Sequence, residues 1–260
     1  MIINEYRVYL PSVGVIICAV TGAFLLKEKL RSLPAGRIIL TVLVLAIGGL
    51  AIAAYQRNEV WGDKIRLWED TAEKSPRKAV VHIVLGSDYL ARNMYGKAME
   101  QYLIAIKLKP DYPGAHNSLG FFYQTFNMYD KALEQYLIAI KLKPDYADAY
   151  NNLGNIYKFI NMPDKALEQY LIATKLEPDF AEAHNNLGVV YLAFNRSDKA
   201  LEQYLIALKL RPDYAVAHFN LGSLYYWMGQ MENARRELTE VLKIKPDEQQ
   251  AQQLLKIINR

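Results

Sequence analysis

Cysteine is nearly absent from this chain of 260 residues. Cys18 stands alone inside an apolar run, which excludes an intrachain disulfide framework and a cysteine-rich zinc site. Histidine is scarce as well. His82, His116, His184 and His218 are separated by 34 residues or a multiple of it, so no pair has the i, i+4 spacing of a helical metal site. No Gly-rich phosphate loop follows a strand, no G-x-S-x-G occurs, and no cysteine lies near a histidine. No catalytic residue, cofactor or metal ligand set is therefore expected. A basic stripe is also missing. Residues 1–78 carry a net charge of +4, residues 79–248 of −2 and residues 249–260 of +2, so a nucleic acid is not an expected partner. At 52% hydrophobic and 22% charged residues, the composition excludes both disorder and a collagen-like fibre.

Charge is missing altogether from two stretches. Arg7 and Lys27 enclose 19 uncharged residues, and Arg37 and Arg57 enclose another 19. As helices each would extend roughly 28 Å, close to the ~30 Å hydrocarbon core of a bilayer. A transmembrane hairpin over residues 1–56 is the expectation, with a buried helical pair and a cleaved signal peptide as the weaker alternatives. Four basic residues between Lys27 and Arg37 put that loop in the cytoplasm by the positive-inside rule, although Arg57, Lys64, Arg66 and Lys74 argue the other way. The chain is thus expected to be integral to a membrane, with everything after residue 56 extracytoplasmic.

What is present in abundance is a repeat. Gly86, Gly120, Gly154, Gly188 and Gly222 recur every 34 residues, as do Tyr89 through Tyr225, Ala98 through Ala234 and Pro110 through Pro246. A 34-residue unit reading Leu-Gly-x-x-Tyr, then Ala, then Pro, resembles the tetratricopeptide repeat over residues 79–248. The large aromatic usually found four residues before the glycine is replaced by His82, His116, Tyr150, His184 and His218. The resemblance implies an all-α fold: a right-handed solenoid of five helical hairpins, closed by a capping helix over residues 249–260. Including the membrane hairpin, the expected fold is two transmembrane helices followed by this solenoid.

The unit makes physical sense by itself. The glycine lets a partner helix approach beside the large apolar knobs at i−1 and i+3. Asn93, Asn127, Asn161 and Asn195, with Gly229, tolerate the left-handed conformation that ends a helix. Asp130, Asp164 and Asp198 are expected to cap the second helix, and Glu232 to favour its positive end. Basic residues and proline then close it.

Stepping one period back from Pro110 reaches Pro76, and Trp68 takes the place of Tyr102, so residues 57–78 are expected to form a degenerate half-repeat. Trp61, Ile65 and Trp68 share one helical face, either packed on the first repeat or anchored at a bilayer surface. Glu5 to Ser12, the hairpin, Arg57-Asn58, Leu67-Trp68-Glu69-Asp70 and Lys74-Ser75-Pro76 look like the last spans and junction of polytopic mannosyltransferase-like membrane proteins that carry tetratricopeptide arrays. That resemblance covers residues 5–78 and supplies no catalytic residue. It implies a separate glycosyltransferase membrane domain as partner, or that the chain is a fragment or remnant of such an enzyme.

A contrast inside the repeats points to a binding face. The second helices are near copies, whereas the first helices differ at positions 5, 9, 12 and 13 of the unit, which line the concave side in the tetratricopeptide family. Residues there and at position 6 are expected to bind proteins or extended peptides: Asn117, Asn151, Asn152, Asn155, Lys158, Asn185, Asn186, Asn220 and Tyr226. Asn152, Asn186 and Asn220 would form a ladder, since an amide can donate to and accept from any peptide backbone. This row is similar to the asparagine ladder of the nucleocytoplasmic O-linked N-acetylglucosamine transferases; the alternative is that it reflects the common repeat consensus. Lys158 is the one base at these inner places, which disfavours a clamp for C-terminal carboxylates.

Overall fold

A computed structural model describes residues 45–46 and 64–259. The chain divides into two compact units, residues 1–76 and residues 77–260. In the first, helix α1 (Lys64–Lys74) buries Ile65, leaves Trp68 half-buried, and carries an i, i+4 ion pair between Asp70 and Lys74. Trp61 lies outside the described residues.

The second unit is a stack of five helical hairpins and a closing helix. The hairpins are α2 (Ala79–Ala91) with α3 (Tyr95–Leu108), α4 (Pro113–Thr125) with α5 (Tyr129–Leu142), and α6 (Ala147–Phe159) with α7 (Pro163–Leu176). They continue with α8 (Ala181–Ala193) and α9 (Ser197–Leu210), then α10 (Ala215–Trp227) and α11 (Met231–Ile244), and α12 (Gln249–Ile258) closes the stack. Its Ala251 is fully buried in a cluster with Leu238 and Val241, which Phe219, Leu254 and Leu255 flank.

The first four hairpins are locked where their glycine meets a tyrosine; in the fifth, Leu238 takes the place of that ring. Tyr102, Tyr136, Tyr170 and Tyr204 are buried to within 1% of completely. Their rings lie so close to Gly86, Gly120, Gly154 and Gly188 that an added Cβ would stand 2.6 to 2.8 Å from Cε1. The fully buried alanines Ala98, Ala132, Ala166, Ala200 and Ala234 keep the same seam narrow.

The turn inside each hairpin follows from one residue. Asn93, Asn127, Asn161 and Asn195 have φ of 55 to 60°, and Gly229 has φ of 75°. In the third hairpin Met162 N–H donates to Tyr157 O (2.8 Å) and Asn161 N–H to Lys158 O (3.1 Å). That pair of bonds is the Schellman termination, and it recurs in all five hairpins. Asn161→Gly, which copies Gly229, is expected to leave stability unchanged or slightly higher. Asn161→Ala is expected to cost about 1 kcal/mol, because a Cβ without a local hydrogen bond is disfavoured at positive φ; paired thermal melts measure both.

Two expectations are corrected here. Asp130, Asp164 and Asp198 are not N-caps: they sit second in their helices, whose N-cap residues are Met128, Met162 and Arg196 with no side-chain cap bond. Their carboxylates act through the positive helix end alone. The second correction concerns the membrane. No helix among the described residues is long and apolar enough to cross a bilayer. The longest hairpin helices have 14 residues and reach only about 21 Å, short of the ~30 Å needed. The expected spans, residues 8–26 and 38–56, lie outside the described residues except for Leu45 and Ala46. Among the described residues the fold class is accordingly an all-α solenoid with no membrane-spanning helix, and the integral-membrane, extracytoplasmic location is withdrawn as unsupported.

Candidate functional site

First helices approach one another from hairpin to hairpin, α2 with α4, α4 with α6 and α6 with α8. Second helices do not approach one another in this way, so the first helices form the inner side of the stack and the second helices the outer.

The inner side carries a chain of amide pairs. Asn152 Nδ2 donates to Asn117 Oδ1 (3.1 Å), Asn186 Nδ2 to Asn151 Oδ1 (2.9 Å) and Asn220 Nδ2 to Asn185 Oδ1 (2.8 Å). Each bond links position 6 of one repeat to position 5 of the repeat before it. The reason is local geometry: neighbouring first helices run alongside each other, and two short amides bridge that gap. Asn151 and Asn185 are buried, whereas Asn117, Asn152, Asn186 and Asn220 are half-buried. One N–H of each donor amide serves the neighbouring repeat, and its second N–H and its carbonyl oxygen make no hydrogen bond among the described residues.

Asn155 is held differently, accepting the Tyr170 hydroxyl at 2.7 Å. Tyr136 likewise donates to Gln124 Oε1 (2.8 Å) and Tyr102 to Ser87 Oγ (3.2 Å). The tyrosines that lock the hairpins therefore reach through them to orient inner side chains. Burial pushes their phenol pKa values up, so they stay protonated donors. Sequence reasoning missed these hydroxyls. The signal was the tyrosine that recurs in the second helices, whose hydroxyl needs a partner once its ring is buried.

Lys158 and Tyr226 stand outside the bonded amide chain. Burial lowers the pKa of the Lys158 ammonium, which makes no ion pair among the described residues and lies 5.5 Å from the Phe159 ring centre. Tyr226 is half-buried and meets Trp227 edge to face at 6.0 Å; Trp227 itself is 83% exposed.

The histidines tie the scaffold together. His116 Nδ1 lies 2.8 Å from Gln135 Oε1 and its Nε2 lies 2.9 Å from the Pro110 carbonyl. His184 repeats this with Gln203 and Pro178. In the fifth repeat Glu237 replaces the glutamine: its Oε2 is 2.8 Å from His218 Nδ1, and the Pro212 carbonyl is 2.9 Å from Nε2. This contact is buried and joins α10 to α11.

Stacked hairpins whose first helices line one side define an α-solenoid. Residues 86–125 and 127–158 match a TPR repeat family, and residues 161–215 and 201–258 match two tetratricopeptide repeat families. The array belongs to the tetratricopeptide repeat family.

Solved structures agree on the fold. YrrB, described as a TPR protein with an unusual peptide-binding site, is 23% identical with a TM-score of 0.51, over 73% of this chain and 97% of its own. PilF of Pseudomonas aeruginosa is 23% identical with a TM-score of 0.62, over 66% and 79%. A thermophilic TPR protein of Thermus thermophilus is 22% identical with a TM-score of 0.59, over 69% and 98%. No curated protein matches the chain in sequence. The family matches begin at residue 86, so the mannosyltransferase-like junction over residues 5–78 has no support, and the glycosyltransferase partner inferred from it is not retained.

Proposed function

We propose that this chain is a scaffold that captures extended polypeptide on the inner side of its repeats and reads the backbone rather than the side chains. The observation that carries this reading is the amide chain from Asn117 to Asn220, in which each donor keeps an N–H and a carbonyl oxygen unused. An extended strand presents N–H and C=O groups in alternation, and amides can meet either. Asn155, Lys158 and Tyr226 would contact side chains beside that track. The likeness to YrrB, whose description names a peptide-binding site, is consistent with this use of the fold.

The test is calorimetry of the full chain against an unstructured Ser/Thr/Ala peptide, its scrambled sequence and its N-methylated form. The two sequences should bind alike, with little dependence on salt, and the N-methylated form should bind more weakly. In N152A/N186A/N220A three hydrogen bonds of about 0.5–1.5 kcal/mol are lost, which weakens capture roughly 10- to 1000-fold. Unaltered affinity in the folded triple variant, or equal binding of the N-methylated peptide, overturns the reading.

A further inference from the structure

The outer side shows a pattern that peptide capture on the inner side does not use. Leu103, Leu137, Leu171 and Leu205 occupy the same place in α3, α5, α7 and α9, and each is 44 to 47% exposed. The fold does not need leucine there: the fifth repeat has Thr239 at that place, in a helix of equal length. Three residues before each leucine stands a glutamate (Glu100, Glu134, Glu168, Glu202), and four after it a lysine (Lys107, Lys141, Lys175, Lys209). At these spacings the three lie along one face of the helix. All eight charged residues are exposed, and among the described residues none makes an ion pair within the chain.

Packing accounts for the identity of buried positions such as Tyr136 and Ala139, but it does not account for identity at exposed ones. In the fifth repeat Arg236 takes the place of the glutamate, so the alternation of charge ends together with the leucine row. The result is a surface with a row of carboxylates, a row of leucines and a row of ammonium groups, each continuing through four hairpins.

We propose that this outer face binds a second copy of the chain about a two-fold axis. A two-fold axis through the leucine row reverses the helix direction. It lays leucines on leucines and sets every glutamate row against a lysine row, so the surface is complementary to itself. A parallel arrangement would set like charge on like charge. The axis runs along the row, so each outer helix lies antiparallel on the same helix of the second copy, α5 on α5 and α7 on α7. Because the outer faces curve away from each other, Leu137 and Leu171 carry most of the contact.

Sedimentation velocity of the full chain over a range of concentrations tests this. The mass should rise from 29.8 kDa toward twice that value with concentration, and less so in high salt. L137T/L171T, which copies Thr239, should weaken the dimer roughly tenfold or more, a difference of about 1.4 kcal/mol. E134K/E168K, which copies the charge of Arg236, should weaken it similarly, and adding K141E/K175E should restore it. Circular dichroism confirms that each variant is folded. A monomer at every concentration overturns the proposal. So does a dimer indifferent to these substitutions, or a four-fold charge swap that fails to restore association.

Discussion

Gly154→Leu is expected to destabilise the repeat array by about 3 kcal/mol, the upper end of the usual cost of overpacking. Even the first carbon of the new side chain would stand 2.7 Å from Tyr170 Cε1 and 2.9 Å from Cδ1. That ring cannot step aside, because it is fully buried and its hydroxyl is tied to Asn155. Replacing glycine within a helix gains up to about 1 kcal/mol in propensity, which is too little to offset the clash. For an array of this size the loss lowers the melting temperature by roughly 6–12 °C. Amide exchange should rise first in α6, α7 and their neighbours, since a solenoid passes stability between adjacent repeats. Gly222→Ala is the control. Its new Cβ meets Leu238 Cγ at 3.0 Å and Glu237 Cβ at 3.3 Å, a milder approach than the 2.7 Å at Gly154, so its cost should be smaller. A Gly154→Leu variant with unchanged melting and uniform protection would contradict the packing of that glycine against Tyr170.

Much of this architecture was legible because it is local and periodic. The 34-residue return of glycine, tyrosine, alanine and proline marks both helices of every hairpin, and asparagine at the turn announces its left-handed backbone. What was misread depends on where a helix begins by a residue or two. Asp130 satisfies the composition of a cap, yet the helix starts one residue earlier, at Tyr129. The amide pairs were half legible. A row of asparagines at position 6 is visible in the sequence, but Asn151 and Asn185 as their acceptors depend on the register between hairpins, which no single repeat encodes. That register also changes the meaning of the row: the same amides that would face a peptide also join one repeat to the next. The membrane hairpin was inferred from two uncharged runs, and no described helix has the length or apolar character to cross a bilayer.

The buried His218–Glu237 contact of the fifth repeat is the place where one substitution separates scaffold from sequence consensus. His218 and Glu237 are both buried, and their contact joins α10 to α11, while Arg236 braces the second carboxylate oxygen at 3.0 Å. Glu237→Ala leaves His218 Nδ1 and the Arg236 guanidinium without the carboxylate they meet and opens a gap beside Gly222. Leaving a buried donor without its acceptor costs about 1–3 kcal/mol, and because this repeat lies at the end of the stack the loss should appear as fraying of α10 to α12. Glu237→Gln should cost far less. Gln101, Gln135 and Gln203 hold this place opposite His82, His116 and His184, so the glutamine geometry already belongs to the fold. An amide oxygen accepts from the ring as the carboxylate does, so the contact to Nδ1 is kept. Hydrogen exchange resolved by segment gives the comparison: rapid exchange over residues 215–258 in the alanine variant, and near wild-type protection in the glutamine variant. Equal protection in both variants would show that the contact contributes little to the end of the array, and that the packing of α12 on Leu238 and Val241 holds the last hairpin by itself.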